Sequence, residues 1–190
     1  MELLLGVFSA FGLSASAGLN AYIPLLVIGV IDHYFPNVLT LSEPWDLISN
    51  PYILILLGIL VIIEMLADKI PAVNHLNDAI QTFVRPVAGA IAFAASAKVL
   101  TDINPVLALA CGLLIAGSVH LVKSAAVRPA VTVATAGTGN LPVSLAEDAI
   151  STVVSILALI IPIVMGVLIV IALVLILWWL STRNDKTQTA

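Results

Sequence analysis

The chain has 190 residues, of which 61% are hydrophobic and 9% charged, with a formal net charge of −4. Its mean hydropathy of +1.17 lies far above soluble domains, which run at about 45–50% apolar and about 25% charged. That excludes a water-solvated globule and makes the bilayer the solvent; with no basic patch present, it also excludes a nucleic-acid partner.

The first apolar stretch, residues 3–31, would be about 44 Å long if wholly helical. Its start imitates a secretory signal, with residues 3–13 as the apolar region and Ala15-Ser16-Ala17 as a small-residue cleavage site. No Lys or Arg precedes it and the first cation is Lys69, so the segment is expected to stay uncleaved. Gly12-Leu13-Ser14-Ala15-Ser16-Ala17-Gly18-Leu19-Asn20 interrupts the run, which predicts a broken or tightly packed helix. Within it, Asn20 is a candidate to bind backbone carbonyls of a neighbouring helix, and the small residues permit close packing.

A polar link at residues 32–50 leads to a second span at 52–68 and a third at 78–100, with Pro86 near the start of its apolar part. Asn104 and Pro105 open a fourth span ending near Lys123. The last run, 150–180, would extend about 46 Å against a hydrocarbon core of roughly 30 Å. Pro162 must therefore kink it or divide it into a hairpin. Cys111, the only cysteine, sits in an apolar run and reads as a small core residue.

Orientation follows from the cations. Lys69, Arg85, Lys123, Arg128, Arg183 and Lys186 fall in the second and fourth links and the tail. The first loop (Asp32, Glu43, Asp46) and the third (Asp102) carry no Lys or Arg. The expected architecture is an all-α polytopic transmembrane bundle of about six crossings, both termini cytoplasmic, with broken or re-entrant segments. It forms a single domain over residues 1–182 and a polar cytoplasmic tail over 183–190. Trp178 and Trp179 suit an interfacial belt. Residues 128–145, rich in Thr and Gly, either dip in as a re-entrant loop or cross.

Two stretches repeat: Asp78-Ala79-Ile80-Gln81-Thr82-Phe83-Val84 and Asp148-Ala149-Ile150-Ser151-Thr152-Val153-Val154 agree at five of seven positions. They suggest an internal duplication with halves at 1–100 and 104–182. If 128–145 re-enters, the two motifs face the same side, the favoured arrangement; if it crosses, they are inverted, as in many transporters. Asp78 and Asp148 read either as helix N-caps or as parts of an internal site formed by broken-helix ends.

The remaining candidates are also scarce polar groups in an apolar chain. Glu64 and Asp68 share a helical face, as do His120 and Lys123. A carboxylate inside a span costs a few kcal/mol unless paired or wetted, so Glu64 is expected to pair with His120 or Lys123. Arg85-Pro86 and Arg128-Pro129 duplicate one dipeptide, each arginine snorkelling to lipid phosphate or clamping an anion. Asn140 and Glu147 complete the substrate- or ion-binding candidates. Gly137-Thr138-Gly139-Asn140 lacks the ending of a phosphate loop, and no catalytic set, metal site or cofactor motif is assigned.

Gly12 to Tyr22, Glu64-x3-Asp68-Lys69-Ile70-Pro71, Asp78-x3-Thr82-x2-Arg85-Pro86-x2-Gly89 and Gly139-Asn140-x3-Ser144-x2-Glu147-Asp148 together resemble the bacterial membrane family catalogued as domain of unknown function 4126. The resemblance covers nearly the whole chain and implies an integral protein of the bacterial inner membrane, without supplying a substrate. The leading functional expectation is a small homo-oligomeric transporter or carrier for a polar, anionic or lipid-type substrate, ion- or proton-coupled. In it Glu64 carries the proton, Asp78 and Asp148 shape the site, and Arg85 and Arg128 attract the anion. The alternatives are a membrane-embedded metal-assisted hydrolase and a non-catalytic assembly protein.

Overall fold

The structure, a computed structural model, describes residues 2–68, 71–100 and 104–188. Lys69 and Asp102 lie outside the described residues, as do the side chains of Trp179, Arg183 and Lys186. Among the described residues the chain is helical without strands. The α-helices are α1 (Glu2–Leu19), α2 (Tyr22–Tyr34), α3 (Pro51–Ala67), α4 (Pro71–Leu100), α5 (Pro105–Val122), α6 (Arg128–Thr135), α7 (Asn140–Ile160) and α8 (Pro162–Gln188). A 3-10 turn, Trp45–Ser49, precedes α3, and a π turn, Lys123–Val127, joins α5 to α6.

Local chemistry sets most boundaries. Asn50 and Asn104 each precede a proline, and each side-chain oxygen accepts the amide two residues on, from Tyr52 and Val106, at 2.9 Å. Asn as cap followed by Pro is a strong helix start, because proline's missing N–H would be an orphan there anyway. Between α6 and α7 the chain reverses through Ala136 (φ 50°) and Gly137 (φ 88°). Pro162 does divide the last apolar run, with Ile161 non-helical between α7 and α8. The third span begins at Pro71 rather than at Asp78, and Pro86 lies inside it. Backbone helix continues to Gln188, through most of the expected polar tail.

Paired residues fix the relative directions. Ser9 bonds the Ala158 carbonyl, Ser16 meets Ser151 and Ser155, and Asn20 meets Asp148, so α1 and α7 are antiparallel. Ser14 donates to the Gly112 carbonyl and Lys123 to that of Leu19, so α1 and α5 are parallel. Phe11 stacks on Phe93 while Ser14 lies by Gly89, which sets α4 against α1. Glu64 with Arg85 and Asp68 with Asn77 set α3 against α4. Gly29 beside Leu54 and Ala21 beside Glu64 set α2 against α3. It follows that α2 returns against α1. The expected single broken crossing at residues 3–31 is therefore a helix–break–helix hairpin, because Asn20 stops α1 and its neighbours turn the chain back. By the same reasoning α4 and α7, which carry the two Asp motifs, run in one direction. Residues 128–145 are the end of one helix, a tight turn and the start of the next.

The core is built from alanine and glycine. Ala10, Ala17, Ala88, Ala92, Ala95, Ala116 and Ala158 are buried with Leu13 and Ile28. Gly18, Gly89 and Gly112 let α1, α4 and α5 approach backbone to backbone, the packing expected where lipid removes any hydrophobic drive between helices. Large apolar side chains point outward, among them Ile55, Ile59, Ile62 and Ile63 of α3 and Val167, Ile171 and Leu175 of α8. Among the described residues three segments are long and apolar enough to cross a membrane: Leu76–Ser96, Pro105–Thr135 and Asn140–Ile160.

A Cβ at position 112 would sit 2.4 Å from the Gly89 carbonyl oxygen and 2.7 Å from Ala90 Cα, whereas one at Gly58 meets nothing within 4 Å. Gly112→Val is expected to lower stability in detergent by about 1–3 kcal/mol and Gly58→Ala to leave it unchanged. Thermal unfolding of the two variants checks this.

Candidate functional site: a buried ion network at a helix break

Asn20 and Ala21 interrupt the chain between α1 and α2, leaving carbonyls free at one helix end and amides free at the other. Polar side chains answer the Leu19 carbonyl and the first amides of α2. Asn20 Oδ1 accepts from the Tyr22 and Ile23 amides at 3.2 Å each. The Glu64 carboxylate accepts the Ala21 amide at 3.1 and 3.3 Å, placing negative charge at the positive end of α2. Lys123 Nζ donates to the Leu19 carbonyl at 2.8 Å, placing positive charge at the negative end of α1. Asn20 Nδ2 donates to Asp148 Oδ1 at 3.0 Å, tying the break to α7.

Buried charges need partners, and the network grows outward from these. Arg85 is fully buried and holds Glu64 Oε1 through Nε at 3.1 Å and Nη2 at 2.9 Å. Its Nη1 lies 3.1 Å from His120 Nδ1. A guanidinium can only donate, so His120 accepts there, carries its proton on Nε2, and donates to Thr82 Oγ at 3.2 Å. Asp68 Oδ2 faces three cations, Arg128 at 2.7 Å, Arg85 at 3.5 Å and Lys123 at 3.6 Å, while its Oδ1 accepts from Asn77 at 2.7 Å. Glu147 Oε2 faces Lys123 at 2.9 Å and Arg128 at 3.1 Å.

The π turn has a geometric consequence. In an α-helix, residues five apart point about 140° away from each other. Here the Arg128 amide bonds the Lys123 carbonyl, so the widened turn brings the two cations toward one face. That is why both reach the same oxygen of Glu147. Pro129 next to the turn cannot donate a backbone bond, which favours the irregularity at this point.

Beside this ion pair, α5 and α7 diverge into an apolar cleft of about 450 Å³, lined by Leu19, Val119, Val122, Val143, Ala146 and Ile150 around Lys123 and Glu147. A second apolar hollow of about 370 Å³, between α2, α3 and α7, reaches Asp148.

Of the candidate residues, Asn20, Glu64, Asp68, Arg85, His120, Lys123, Arg128, Glu147 and Asp148 are brought together here. Asp78 sits at the rim, 3.7 Å from Arg128 and with its side chain 27% exposed. Asn140 is apart: its Oδ1 accepts from Thr132 at 3.1 Å and closes the α6–α7 turn. Neither Asp78 nor Asp148 is an N-cap, because α4 and α7 begin seven or eight residues earlier, at Pro71 and Asn140. Glu64 pairs with Arg85 rather than with His120 or Lys123, since the guanidinium lies between them. Arg85 does not snorkel to phosphate, and both arginines are engaged by internal carboxylates.

Sequence reading missed Asn77, Gln81 and the serine ladder of Ser16, Ser151 and Ser155. A signal existed: Asn77, Gln81 and Arg85 recur every four residues on α4, and Ser144, Asp148, Ser151 and Ser155 line one face of α7. In both repeated motifs the shared threonine does the same thing, donating one turn back to the aspartate's carbonyl (Thr82 to Asp78, 2.8 Å; Thr152 to Asp148, 2.9 Å). Among the described residues no group of three or more His, Cys, Asp or Glu is arranged to hold a metal.

Residues 7–182 match the family described as Domain of unknown function (DUF4126), and the chain belongs to it. No curated protein and no solved structure matches the chain.

Removing one partner of a buried ion pair strands the other and costs about 3–5 kcal/mol, whereas replacing both with apolar groups costs far less. Arg85→Met and Glu64→Met are each expected to destabilise by that amount, and the double variant by less than their sum. A double-mutant cycle on thermal unfolding in detergent measures the difference.

Proposed function

We propose that this DUF4126 member is a small integral membrane carrier for a polar, anionic or lipid-type substrate, coupled to an ion or proton, with the network at the helix break as its working part. The observation that carries this reading is the burial of Glu64, Asp68, Arg85, His120, Lys123 and Glu147 in one cluster within a chain that is only 9% charged. Ionisable groups inside a membrane segment are costly and mark substrate, ion or proton paths. Broken helix ends that meet such groups are the usual site architecture of secondary carriers.

The geometry divides the roles differently from a scheme in which Glu64 carries the proton and the arginines clamp the substrate. Glu64 and Arg85 hold each other and the Ala21 amide, so they staple the break. Lys123 and Glu147 border the cleft, Arg128 holds the same Glu147 oxygen, and exchange of partners among the three is the step through which a substrate or proton couples. The cation-bearing end of the bundle faces the cytoplasm in this proposal, and the hairpin of α1 and α2 enters from the opposite side. The N-terminus then lies outside rather than in the cytoplasm. The exposed aliphatic face of α3 is where a second copy would pack in a homo-oligomer.

Purified protein in liposomes is expected to move an ion, a small anion or a lipid, and Lys123→Gln or Glu147→Gln to abolish that flux without loss of fold. Folded protein that moves nothing across a broad substrate panel would sink the proposal.

A further inference from the structure

We infer that the cleft between α5 and α7 binds a single-chain amphiphile with an anionic head, whose oxygen replaces that of Glu147 between Lys123 and Arg128. This deepens the carrier reading and rests on it.

The argument starts from the shared acceptor. Lys123 Nζ and Arg128 Nη2 converge on one oxygen, Glu147 Oε2, at 2.9 and 3.1 Å. Two charge-assisted donors aimed at a single point form an oxyanion site, and the π turn exists at the place that aligns them. The oxyanion occupying it is the protein's own carboxylate. The same two cations also reach Asp68 Oδ2, at 3.6 and 2.7 Å, so they keep one anionic partner when Glu147 leaves. Glu147 thus acts as an internal plug, while Asp68 is the permanent counter-ion.

The setting selects the rest of the ligand. Apart from the ion pair and Ser118, the cleft walls are apolar, from Leu19, Val119, Val122, Val143 and Ile150. Its volume of about 450 Å³ falls within the roughly 300–1,000 Å³ of small-molecule sites. Val122, Val127 and Ile150 of its lining are exposed, so it opens onto the lipid-facing surface. A hydrated inorganic anion would gain nothing from these walls and would lose its water there. A ligand with an alkyl chain and one anionic group satisfies both walls and floor. Carboxylate and phosphate heads share this chemistry. When such a head enters, Glu147 must swing away from Lys123 and Arg128.

The test uses the full chain in nanodiscs of zwitterionic phospholipid, with a photo-crosslinkable palmitate and mass-spectrometric mapping. Labelling is expected on α5 and α7 at the cleft. Palmitate or a single-chain lysophosphatidate should compete it and the methyl ester should not, the stronger competitor identifying the head. Glu147→Gln should raise the affinity about tenfold, the scale of one charge-assisted bond regained. Ala146→Trp fills the mouth without touching an ion pair and should remove the labelling while thermal unfolding is unchanged. Equal competition by the ester, weaker binding in folded Glu147→Gln, or an Ala146→Trp protein that changes oligomeric state and keeps its labelling would overturn the inference. In the unaltered protein, liposome flux without labelling removes this site alone, and labelling without liposome flux removes the carrier reading.

Discussion

A helix cannot stop inside a greasy bundle unless its free amides and carbonyls are answered, and the break at Asn20 is where this chain stops one. Each unsatisfied backbone group in such surroundings costs several kcal/mol. Glu64 answers the amide of Ala21 and Lys123 the carbonyl of Leu19. Both answers bring a charge indoors, and each charge then requires another. Arg85 follows from Glu64, Glu147 and Asp68 follow from Lys123, and Arg128 joins both carboxylates. The whole network can be traced outward from the two-residue interruption at Asn20 and Ala21.

The same constraint explains the packing. Long, charged side chains converge on one end of α1, so the helices must approach closely enough for them to meet. Glycine at 18, 89 and 112, with alanine at 17, 88, 92 and 116 around them, sets that approach. The serine ladder between α1 and α7 fixes their register, since Ser16 meets both Ser151 and Ser155 at 2.7–2.8 Å. The register in turn puts Asn20 against Asp148. Close packing and polar convergence are here one requirement, because neither is stable without the other.

Much of this was legible in the sequence, and the rest was hidden for physical reasons. Helical class follows from composition, and helix starts at Asn50 and Asn104 from the Asn-Pro pairs. The division at Pro162 follows from length against bilayer thickness. The scarcity of charge pointed to nearly every member of the cluster. Partner choice was not legible, because whether Glu64 meets Arg85 or His120 depends on how three helices pack. The hairpin of α1 and α2 was hidden because hydropathy is blind to direction: residues 3–31 are equally apolar whether the chain continues or returns. The π turn left only the faint trace of Pro129. Asp78 and Asp148 resembled caps because a proline precedes each, yet the helices begin at or near those prolines.

The central claim is that Glu64 seals the break from within, and hydrogen exchange at the Ala21, Tyr22 and Ile23 amides tests it most directly. Those three amides should exchange as slowly as the buried backbone of α4 around Ala92, and that of Ala21, which the Glu64 carboxylate accepts, should become fast in a folded Glu64→Ala protein. Rapid exchange in the unaltered protein, or identical protection with and without the carboxylate, would contradict it.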